Sequence, residues 1–418
     1  MIDAELQHLL ALDARLVEAV RPVRLMSAVS WPAHLQSEFL ARWQRGDARP
    51  PAIEYPPLDY RDVRVELDAI HLAANAPNPL AEYLRRTAES WMAATELLEA
   101  LGTARVTDPS IRLYGKPGDV LPGTELSNLD AARHFIGLAD ELNGGAAVEE
   151  GEYCLSAEVM QNELQSTLDA FFHAHHISVD IDHELIAKAA AGSTRIRLRG
   201  ATCFSEYDRH QLLEHEAFVH SLTAINGREQ PHLKSLARTA PRVTATQEGL
   251  ATFAELITGA IDISRLKRIS LRILAIDMAL SGADFTQVFE FFRASGQTGA
   301  DSFASTQRVF RGCPLDGGSA FTKDTVYLHG LLSVHTFFRW CLKNRRLHLT
   351  HLLFAGKMAL HDVFTLEPLY ESGVIAPPLY LPPWVQRAKG LAGTLAFSLF
   401  ANKIRLDKVA AEDLVLGL

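Results

Sequence analysis

The sequence contains few cysteines and no long apolar run. Its 418 residues include 4 cysteines (Cys154, Cys203, Cys313 and Cys341), and none of them forms a CxxC pair. This spacing excludes a zinc site built from cysteines and is typical of a reducing compartment. No stretch approaches the roughly 20 apolar residues of a membrane span, and the N-terminal MIDAELQHLLALD carries acids where a secretory signal carries basic residues. We therefore expect a cytoplasmic protein with no membrane partner.

Basic residues are outnumbered by acidic ones. Lys and Arg together number 41 against 50 Asp and Glu, a net charge of −9. General nucleic-acid binding needs a basic surface, so we expect no nucleic-acid partner. The 48% hydrophobic and 22% charged content is that of an ordinary globular protein. The unusual number is the 17 histidines, which directs attention to a metal or acid–base site.

The spacing of apolar residues predicts an α+β fold that is predominantly helical. Helical patterns cover 1–48, 65–104, 155–175, 246–259, 263–280, 284–294, 323–343 and 349–363, whereas 108–123 is rich in Gly, Pro and Asp and predicts a loop. Alternating patterns at 177–181 and 194–199 predict strands of a small β-sheet beside the helix 205–224. Between them, Asp182 could cap a helix over 183–191 that Gly192 ends. We divide the chain into an N-terminal helical region, 1–110, and a core with a C-terminal helical part, 111–418.

The helix 205–224 contains an HExxxH motif, in which His215 is followed by Glu216 and by His220. The familiar zinc-peptidase pattern is HExxH, whose two histidines share one helix face. Residues five apart are separated by about 140° around a regular α-helix, so these two could not reach one metal ion. One inserted residue, a π-type bulge at 217–219, would bring them together. The motif therefore requires a widened helix if it binds metal.

A third metal ligand can be found at the start of the next helix, in the segment Thr244–Ala251. Thr244 and Gln247 have the spacing of a capping box, and Glu248 would lie in the first turn. Gly249 would let this helix approach the histidine-bearing helix closely. Two turns later, Glu255 could accept a hydrogen bond from a ligand histidine. Two histidines and a glutamate with an open fourth position form the ligand set of a catalytic zinc.

These segments resemble a known family. EHEAFVH (Glu214–His220) and TQEGLA (Thr246–Ala251) resemble the QEGLA-motif proteins, whose bacterial members are described as flavohaemoglobin-expression-modulating. That family is related to the microtubule-associated tyrosine carboxypeptidases, zinc metallopeptidases that remove the C-terminal tyrosine of α-tubulin. The resemblance extends from about residue 10 to beyond 390 and takes in Leu25–Trp31, Arg195–Arg197, Phe204–Ser205, Asn226–Gly227, Phe321–Asp324 and Tyr327. It implies that His215, His220 and Glu248 are zinc ligands and that Glu216 is the catalytic acid/base. Substrate choice does not carry over with the motif, because it depends on pocket residues.

Other residues are candidates for substrate contacts. In zinc peptidases of this type, called zincins, the strand before the metal helix pairs with the substrate backbone. Arg195 or Arg197, on one face of the strand 194–199, could bind a substrate carboxylate, although a solvated arginine face explains them equally well. Peptide hydrolysis also needs a donor for the oxyanion. Tyr327 is our first choice, and Lys323, His329 and Arg311 are of the right type.

The interpretation is a zinc metallopeptidase with a zincin-like core and the HExxxH helix beside its sheet. We interpret it as a carboxypeptidase that acts on a peptide or protein C-terminus by zinc-activated water, with Glu216 as general base and acid. One alternative is a regulatory or binding protein that keeps a structural zinc, and another is a zinc hydrolase of a non-peptide amide. The presence of Glu216 and the number of ligands favour the enzyme, because a structural site needs four protein ligands.

Overall fold

The computed structural model describes residues 3–144, 154–183, 185, 188–200 and 202–404. Helix accounts for 64% of the structure and strands for a small part of it, which confirms the predominantly helical fold. The α-helices span Ala4–Ala19, Leu25–Ala28, His34–Trp43, Arg61–Ala73, Pro79–Glu99, Thr107–Tyr114, Asn128–Gly144, Ala157–Phe171, Glu206–Gln211, Leu222–Arg228, Thr244–Thr258, Ile263–Leu280, Phe285–Ala294, Gly299–Phe310, Thr325–Lys343, His348–Leu352, Leu360–Thr365, Glu367–Glu371, Pro383–Gln386 and Ala388–Ala401. A π-helix spans Leu212–Ser221, and 3₁₀ turns span Ala104–Val106, Lys234–Ala237, Pro241–Val243 and Thr322–Asp324.

The sheet has three strands, β1 (Ser178–Asp182), β2 (Ala189–Ala191) and β3 (Arg195–Arg199), in the order β1-β3-β2. β3 runs parallel to β1 and antiparallel to β2, with its apolar residues buried. The predicted strands are confirmed, but the predicted helix 183–191 is wrong at its end, where β2 forms, while positions 184, 186 and 187 lie outside the described residues. A run of alanines favours helix locally. Here, the short turn after Ala191 brings the following segment back alongside these alanines, and that segment pairs with them as strand β3.

The sheet lies beside the helix that carries the histidines, as predicted. Ser221 Oγ on that helix donates a hydrogen bond to the carbonyl oxygen of Gly192, in the turn between β2 and β3, at 3.1 Å. The helix Ala157–Phe171 supports the sheet, because Gln165 Nε2 donates to the carbonyl oxygen of Ile177 and Gln165 Oε1 accepts from Val179 N–H. These contacts fix the histidine-bearing helix against the sheet turn.

One large hydrophobic core connects most helices of the described chain, and a small second cluster contains Ala132, Ile269, Ile273 and Leu328. The large core includes Leu9 and Trp91 from the N-terminal part and Phe253 and Leu395 from the rest. Residues on both sides of position 110 therefore bury one another, and the division at that position stays a prediction. Within the described part of the chain, no helix combines the length and the apolar character that crossing a lipid bilayer requires.

The helices Thr244–Thr258 and Thr325–Lys343 pack backbone against backbone. A Cβ atom on Gly249 would lie 2.3 Å from the carbonyl carbon of Gly330, and a Cβ on Gly330 would lie 2.3 Å from the carbonyl oxygen of Ala245. The prediction that Gly249 allows a close approach is confirmed, but its partner is the helix Thr325–Lys343 and not the helix of the histidines. The sequence indicated the small residue and could not indicate its partner, because that partner lies about 80 positions away.

Three further predictions differ from the structure. The first half of the predicted loop 108–123 lies within the helix Thr107–Tyr114, and the predicted helix 349–363 is interrupted between Leu352 and Leu360. A disulfide joins Cys154 and Cys203, which are 49 positions apart. The antiparallel bridge between Leu155 and Phe204 brings these two segments together. The prediction of a reducing compartment depended on unpaired cysteines and loses that support, and the cytoplasmic location stays a prediction.

Candidate metal centre

The two motif histidines lie on one long helix, here called the histidine helix, made of Glu206–Gln211, Leu212–Ser221 and Leu222–Arg228. A capping box starts it, in which Ser205 Oγ accepts from the Asp208 N–H and the Asp208 carboxylate accepts from the Ser205 N–H. The middle segment is a π-helix, which is the widening that the HExxxH spacing required. As a result, the rings of His215 and His220 lie on the same side, with centroids 4.9 Å apart.

Glu248 completes a three-atom donor set with these histidines. It lies in the second turn of the helix Thr244–Thr258, here called the glutamate helix. Its Oε2 is 3.6 Å from His215 Nε2 and 3.7 Å from His220 Nε2. Zinc bonds of about 2.0–2.2 Å with near-tetrahedral angles place two donor atoms about 3.3–3.6 Å apart. The three atoms therefore fit a zinc ion with small adjustments.

Glu216 lies beside these three atoms, slightly farther from His215 than Glu248 does. Its Oε1 is 4.0 Å from His215 Nε2, and its side chain is 28% exposed, against 6% for His215. One ligand atom from each of His215, Glu216 and His220 falls within 4.8 Å of the other two. A carboxylate at this distance, open to solvent, is in the position of a proton acceptor for a molecule that binds next to the ion.

The outer nitrogen of His215 is held by Glu255, as predicted. His215 Nδ1 is 2.6 Å from Glu255 Oε1, and Glu255 is fully buried. Arg265 donates two hydrogen bonds to the same carboxylate, at 3.0 and 3.1 Å. Burial would raise the pKa of Glu255, but Arg265 and His215 outweigh burial and lower it. Glu255 is thus an anion that fixes the ring orientation of His215 and leaves Nε2 for a metal.

The second oxygen of Glu248 is held by Lys323. Lys323 Nζ donates to Glu248 Oε1 at 2.9 Å, and the other oxygen, Oε2, lies toward the two histidines. Burial would raise the pKa of Glu248, but Lys323 and the two histidines lower it well below its usual value. The predicted substrate-binding Lys323 is therefore paired with Glu248, the predicted third ligand.

Tyr327, the predicted oxyanion donor, lies one helical turn after Lys323. Lys323 Nζ is 5.2 Å from the centre of the Tyr327 ring. Arg308 donates to Tyr327 Oη at 3.3 Å and forms a two-point ion pair with Asp324. The phenol oxygen thus accepts from a guanidinium, and its own proton is free to be donated elsewhere. The structure brings Tyr327 next to Lys323 and, through it, next to Glu248.

Gln247 has a different role from the one predicted. The predicted capping box with Thr244 is wrong, because the 3₁₀ turn Pro241–Val243 runs directly into the glutamate helix and the N-cap position falls on Val243. The side-chain oxygen of Gln247 instead accepts a hydrogen bond from Thr223 Oγ1 at 3.0 Å, on the histidine helix. Gln247 therefore joins the histidine helix to the glutamate helix.

The remaining predicted substrate contacts are not assembled with the donor set. Arg195 pairs with Asp180, at 2.5 Å, and Arg197 pairs with Asp182, at 3.2 Å, both across the parallel strands β1 and β3. His329 lies near Asp119, and burial lowers its pKa. Across the described ranges, no hydrogen bond or ion pair connects these three side chains to His215 or Glu248. Their role in substrate binding stays a prediction.

Two side chains at the centre carry no signal in the sequence. Arg265 lies 10 positions after Glu255, at the start of another helix, and no motif marks it. Lys357 donates through Nζ to Thr239 Oγ1 at 2.8 Å. Burial lowers the pKa of Lys357 to about 8, while the nearby carboxylates of Glu248 and Glu216 act in the opposite direction. Both residues reach the site through tertiary contacts alone.

Comparison with known families gives a match over most of the chain. The family model described as microtubule-associated tyrosine carboxypeptidase matches residues 37–403, a range that contains the donor set and every residue named above as a site candidate. A search of curated proteins gave no match.

Proposed function

The chain belongs to the microtubule-associated tyrosine carboxypeptidase family, and from this premise we propose that it is a zinc-dependent carboxypeptidase with a zincin-like core. Membership implies carboxypeptidase-like activity at the level of the family. The observation that supports the zinc site is the convergence of three donor atoms from two helices, with Glu248 Oε2 at 3.6 and 3.7 Å from the two histidine nitrogens. The substrate is then the C-terminus of a peptide or protein.

His215, His220 and Glu248 would hold the ion. When bound, zinc would polarise the scissile carbonyl and lower the pKa of a water molecule. Glu216, which lies next to these donor atoms in the position of a proton acceptor, supports a catalytic site over a regulatory protein with structural zinc. Glu255 and Lys323 keep the ligands in place, because each holds the atom that does not face the ion.

Glu216 is the proposed general base and acid. Its carboxylate would take a proton from the attacking water and deliver it to the leaving amine. Its position supports this role, because Oε1 is 4.0 Å from His215 Nε2 and its side chain is more exposed than those of the ligands. An acid at this position, beside the donor set, could serve both the attacking water and the departing nitrogen.

Tyr327 is the proposed donor to the oxyanion. Its phenol oxygen accepts from Arg308, which leaves the O–H proton for the negative oxygen that forms at the scissile carbonyl. Its ring covers Lys323, whose amine is bound to the ligand Glu248. Tyr327→Phe removes the hydroxyl and retains the ring, so it isolates this contribution.

The test combines metal analysis with an assay of C-terminal release. The purified chain is analysed for zinc and incubated with peptides whose C-terminus is free or blocked, and the products are identified by mass spectrometry. We expect about one zinc per chain and release of single C-terminal residues from free peptides. Tightly held zinc without any hydrolysis would support the regulatory alternative. Hydrolysis restricted to non-peptide amides would support the other alternative.

A further inference from the structure

A disulfide that is open to solvent lies directly before the histidine helix. Cys154 and Cys203 are joined, and both are exposed. The two free cysteines, Cys313 and Cys341, are buried. Disulfide exchange requires that a thiolate reach one of the bonded sulfur atoms, and exposure provides this access. The accessible sulfur of the chain is therefore concentrated at one place, two positions before Ser205, the cap of the histidine helix.

The disulfide is part of a small clasp between two segments. Next to it, Leu155 and Phe204 exchange both backbone hydrogen bonds, at 2.8 and 2.9 Å, and the Phe204 side chain is 1% exposed. We call Cys154, Leu155, Cys203 and Phe204 the disulfide clasp. A covalent link between positions 49 apart restricts the chain more strongly than two neutral hydrogen bonds do. Reduction would therefore loosen the clasp.

Two helices begin at the disulfide clasp. The helix Ala157–Phe171 starts two residues after Leu155, and the histidine helix starts two residues after Phe204. Farther along this pair, Phe171 packs on Phe218, with ring centroids 4.6 Å apart. Phe218 lies in the π-helix, between the two motif histidines. The disulfide clasp thus fixes the start of a helix pair whose next aromatic contact lies at the metal centre.

A cavity of about 230 Å³ links the same disulfide to the support of His215. Both cysteines of the disulfide line this cavity, and so does Arg265. Arg265 donates to Glu255, and Glu255 holds the outer nitrogen of His215. A change in the disulfide clasp therefore reaches His215 by two routes, along the histidine helix and across the cavity.

The charges around the cavity favour cysteine thiolates. Three cations line it, Lys188, Arg265 and Arg268, against two aspartates. Both aspartates, Asp208 and Asp262, accept backbone hydrogen bonds at the starts of helices. Neighbouring cations stabilise a thiolate, and a stable thiolate is a good leaving group when a disulfide is attacked. These surroundings suit an exchanging disulfide better than a permanent one.

Resting on the proposed zinc site above, we propose that Cys154 and Cys203 form a redox modification site that regulates zinc binding. An external thiol, such as glutathione, attacks one sulfur and forms a mixed disulfide, and the other cysteine leaves as a thiolate. A second external thiol attacks the mixed disulfide, so both cysteines end as thiols and the reductant ends as its own disulfide. Two electrons and two protons pass to the protein. The loosened clasp releases the start of the histidine helix, and zinc affinity at His215 falls.

The exchange itself is measured first. Metal-free protein is equilibrated under nitrogen in mixtures of reduced and oxidised glutathione, and the thiols of the folded protein are then trapped with N-ethylmaleimide and located by peptide mass spectrometry. We expect Cys154 and Cys203 to become labelled together within the series, whereas Cys313 and Cys341 do not respond to the glutathione ratio. A pair that stays oxidised in reduced glutathione alone, or reduced in oxidised glutathione alone, would overturn the proposal.

Zinc affinity is measured next, by competition with a chromogenic chelator after glutathione is removed. Cys154→Ser combined with Cys203→Ser replaces the reduced protein, because free thiols at these positions could themselves bind zinc. We expect this double variant to bind zinc about 10-fold more weakly than the oxidised wild type, the scale of losing support around a ligand. Cys341→Ala is the matched control, since it removes a buried cysteine and keeps the disulfide. Equal affinity in the double variant and the oxidised wild type would refute the regulation.

Hydrogen exchange separates this inference from the function beneath it and needs no variant. In metal-free wild-type protein, the amides of 205–224 should exchange faster after reduction, and those of the helix Thr325–Lys343 should not change. Equal exchange in both redox states would overturn the coupling, even if the chain proves to be a zinc carboxypeptidase. Faster exchange in a chain that binds no zinc would retain redox control of the histidine helix and refute the proposed function.

Discussion

His215 Nδ1 lies 2.6 Å from Glu255 Oε1, and this contact decides which nitrogen of the ring is offered to a metal. Glu255 is itself fixed by Arg265 and has no exposure to solvent. The order of contacts, guanidinium to carboxylate to imidazole, leaves His215 Nε2 pointing at Glu248. Several consequences of this arrangement can be measured.

Glu255→Gln should weaken zinc binding without removing a ligand. A neutral amide holds the imidazole less firmly and leaves Arg265 buried without its anion, so we expect zinc affinity to fall by about 10- to 100-fold. Competition with a chromogenic chelator measures this change. Glu229→Gln, which alters an exposed acid that pairs with His175, serves as a control and should leave affinity unchanged. Unaltered zinc affinity in Glu255→Gln would show that the contact does not support the site.

Glu216→Gln and Glu248→Gln should separate catalysis from metal binding. The first removes a proton acceptor that is not a ligand, so zinc should stay bound while peptide hydrolysis falls by about 10² or more. The second replaces a ligand carboxylate by a poorer ligand and should lower zinc content. Elemental analysis of both variants, beside a hydrolysis assay, provides the comparison. Equal zinc loss in both variants would make Glu216 structural, and full activity in Glu216→Gln would exclude the proposed mechanism.

Gly249→Ala should destabilise the fold and loosen the site together. The added methyl would lie 2.3 Å from the Gly330 carbonyl carbon, and backbone cannot move aside as a flexible side chain can. We expect a loss of about 1–3 kcal/mol or more in the free energy of unfolding, and weaker zinc retention because Glu248 is the preceding residue. Urea unfolding measures the first effect.

Gly393→Ala is the matched control for that substitution. Gly393 lies within the helix Ala388–Ala401, where an added Cβ meets nothing within 4 Å. Alanine should there stabilise the protein by about 0.5–1 kcal/mol, because it restricts the unfolded chain and favours helix. If both variants changed the free energy of unfolding in the same way, the close backbone contact between the helices of Gly249 and Gly330 would not contribute to stability.

Zinc binding to the metal-free protein should release protons. Burial by itself lowers the pKa of His215, but hydrogen bonds to Glu248 and Glu255 outweigh it and raise the pKa to about 10. At pH 7 the ring is therefore protonated, and a metal can bind only after the proton leaves. Calorimetric titration at pH 7 in buffers of different ionisation enthalpy should report the release of about one proton or more. Binding without any proton release would contradict the charged state of His215.

The raised pKa of His215 also determines how the stability of the metal-free protein changes with pH. A group whose pKa is higher in the folded than in the unfolded protein stabilises the fold fully below the unfolded value, here 6.5, and less as pH rises toward about 10. The Tm of the metal-free protein should thus decrease over that interval, and zinc-loaded protein should lack this component. Thermal unfolding at a series of pH values, with and without zinc, measures the difference.

The donor set could be predicted because local spacing encodes it. HExxxH supplies two nitrogens only if the helix widens, and the structure has a π-helix over Leu212–Ser221. Glu248 and Glu255 share a helix face two turns apart, so one faces the metal side of His215 and the other its outer nitrogen. The strands 177–181 and 194–199 were recognisable for the same reason, because alternation is a short-range pattern. Each of these patterns is local, whereas the contacts of Glu248 and Glu255 with His215 are tertiary.

The features that were missed or wrong depend on contacts between distant residues. Lys323 holds Glu248 from 75 positions away, and no local pattern selects that lysine over any other. The alanines of β2 have the composition of a helix, and the strand β3 beside them decided otherwise. Gln247 has the spacing of a cap, yet the preceding 3₁₀ turn and Thr223 redirect its side chain.

The sequence by itself determined the chemistry available to this protein, since two histidines and two glutamates, Glu216 and Glu248, lie in two short segments whose helical geometry follows from local rules. Only the tertiary structure determines which side chains hold these residues in position and which cavity lies beside them. Only packing brings Arg265 to Glu255 and Gly330 to Gly249, and only packing joins Arg24, Trp91 and Arg238 around one cavity beside Glu248. The physical reason is that helical spacing acts over a few residues, whereas burial and charge pairing act between any groups that the fold makes neighbours.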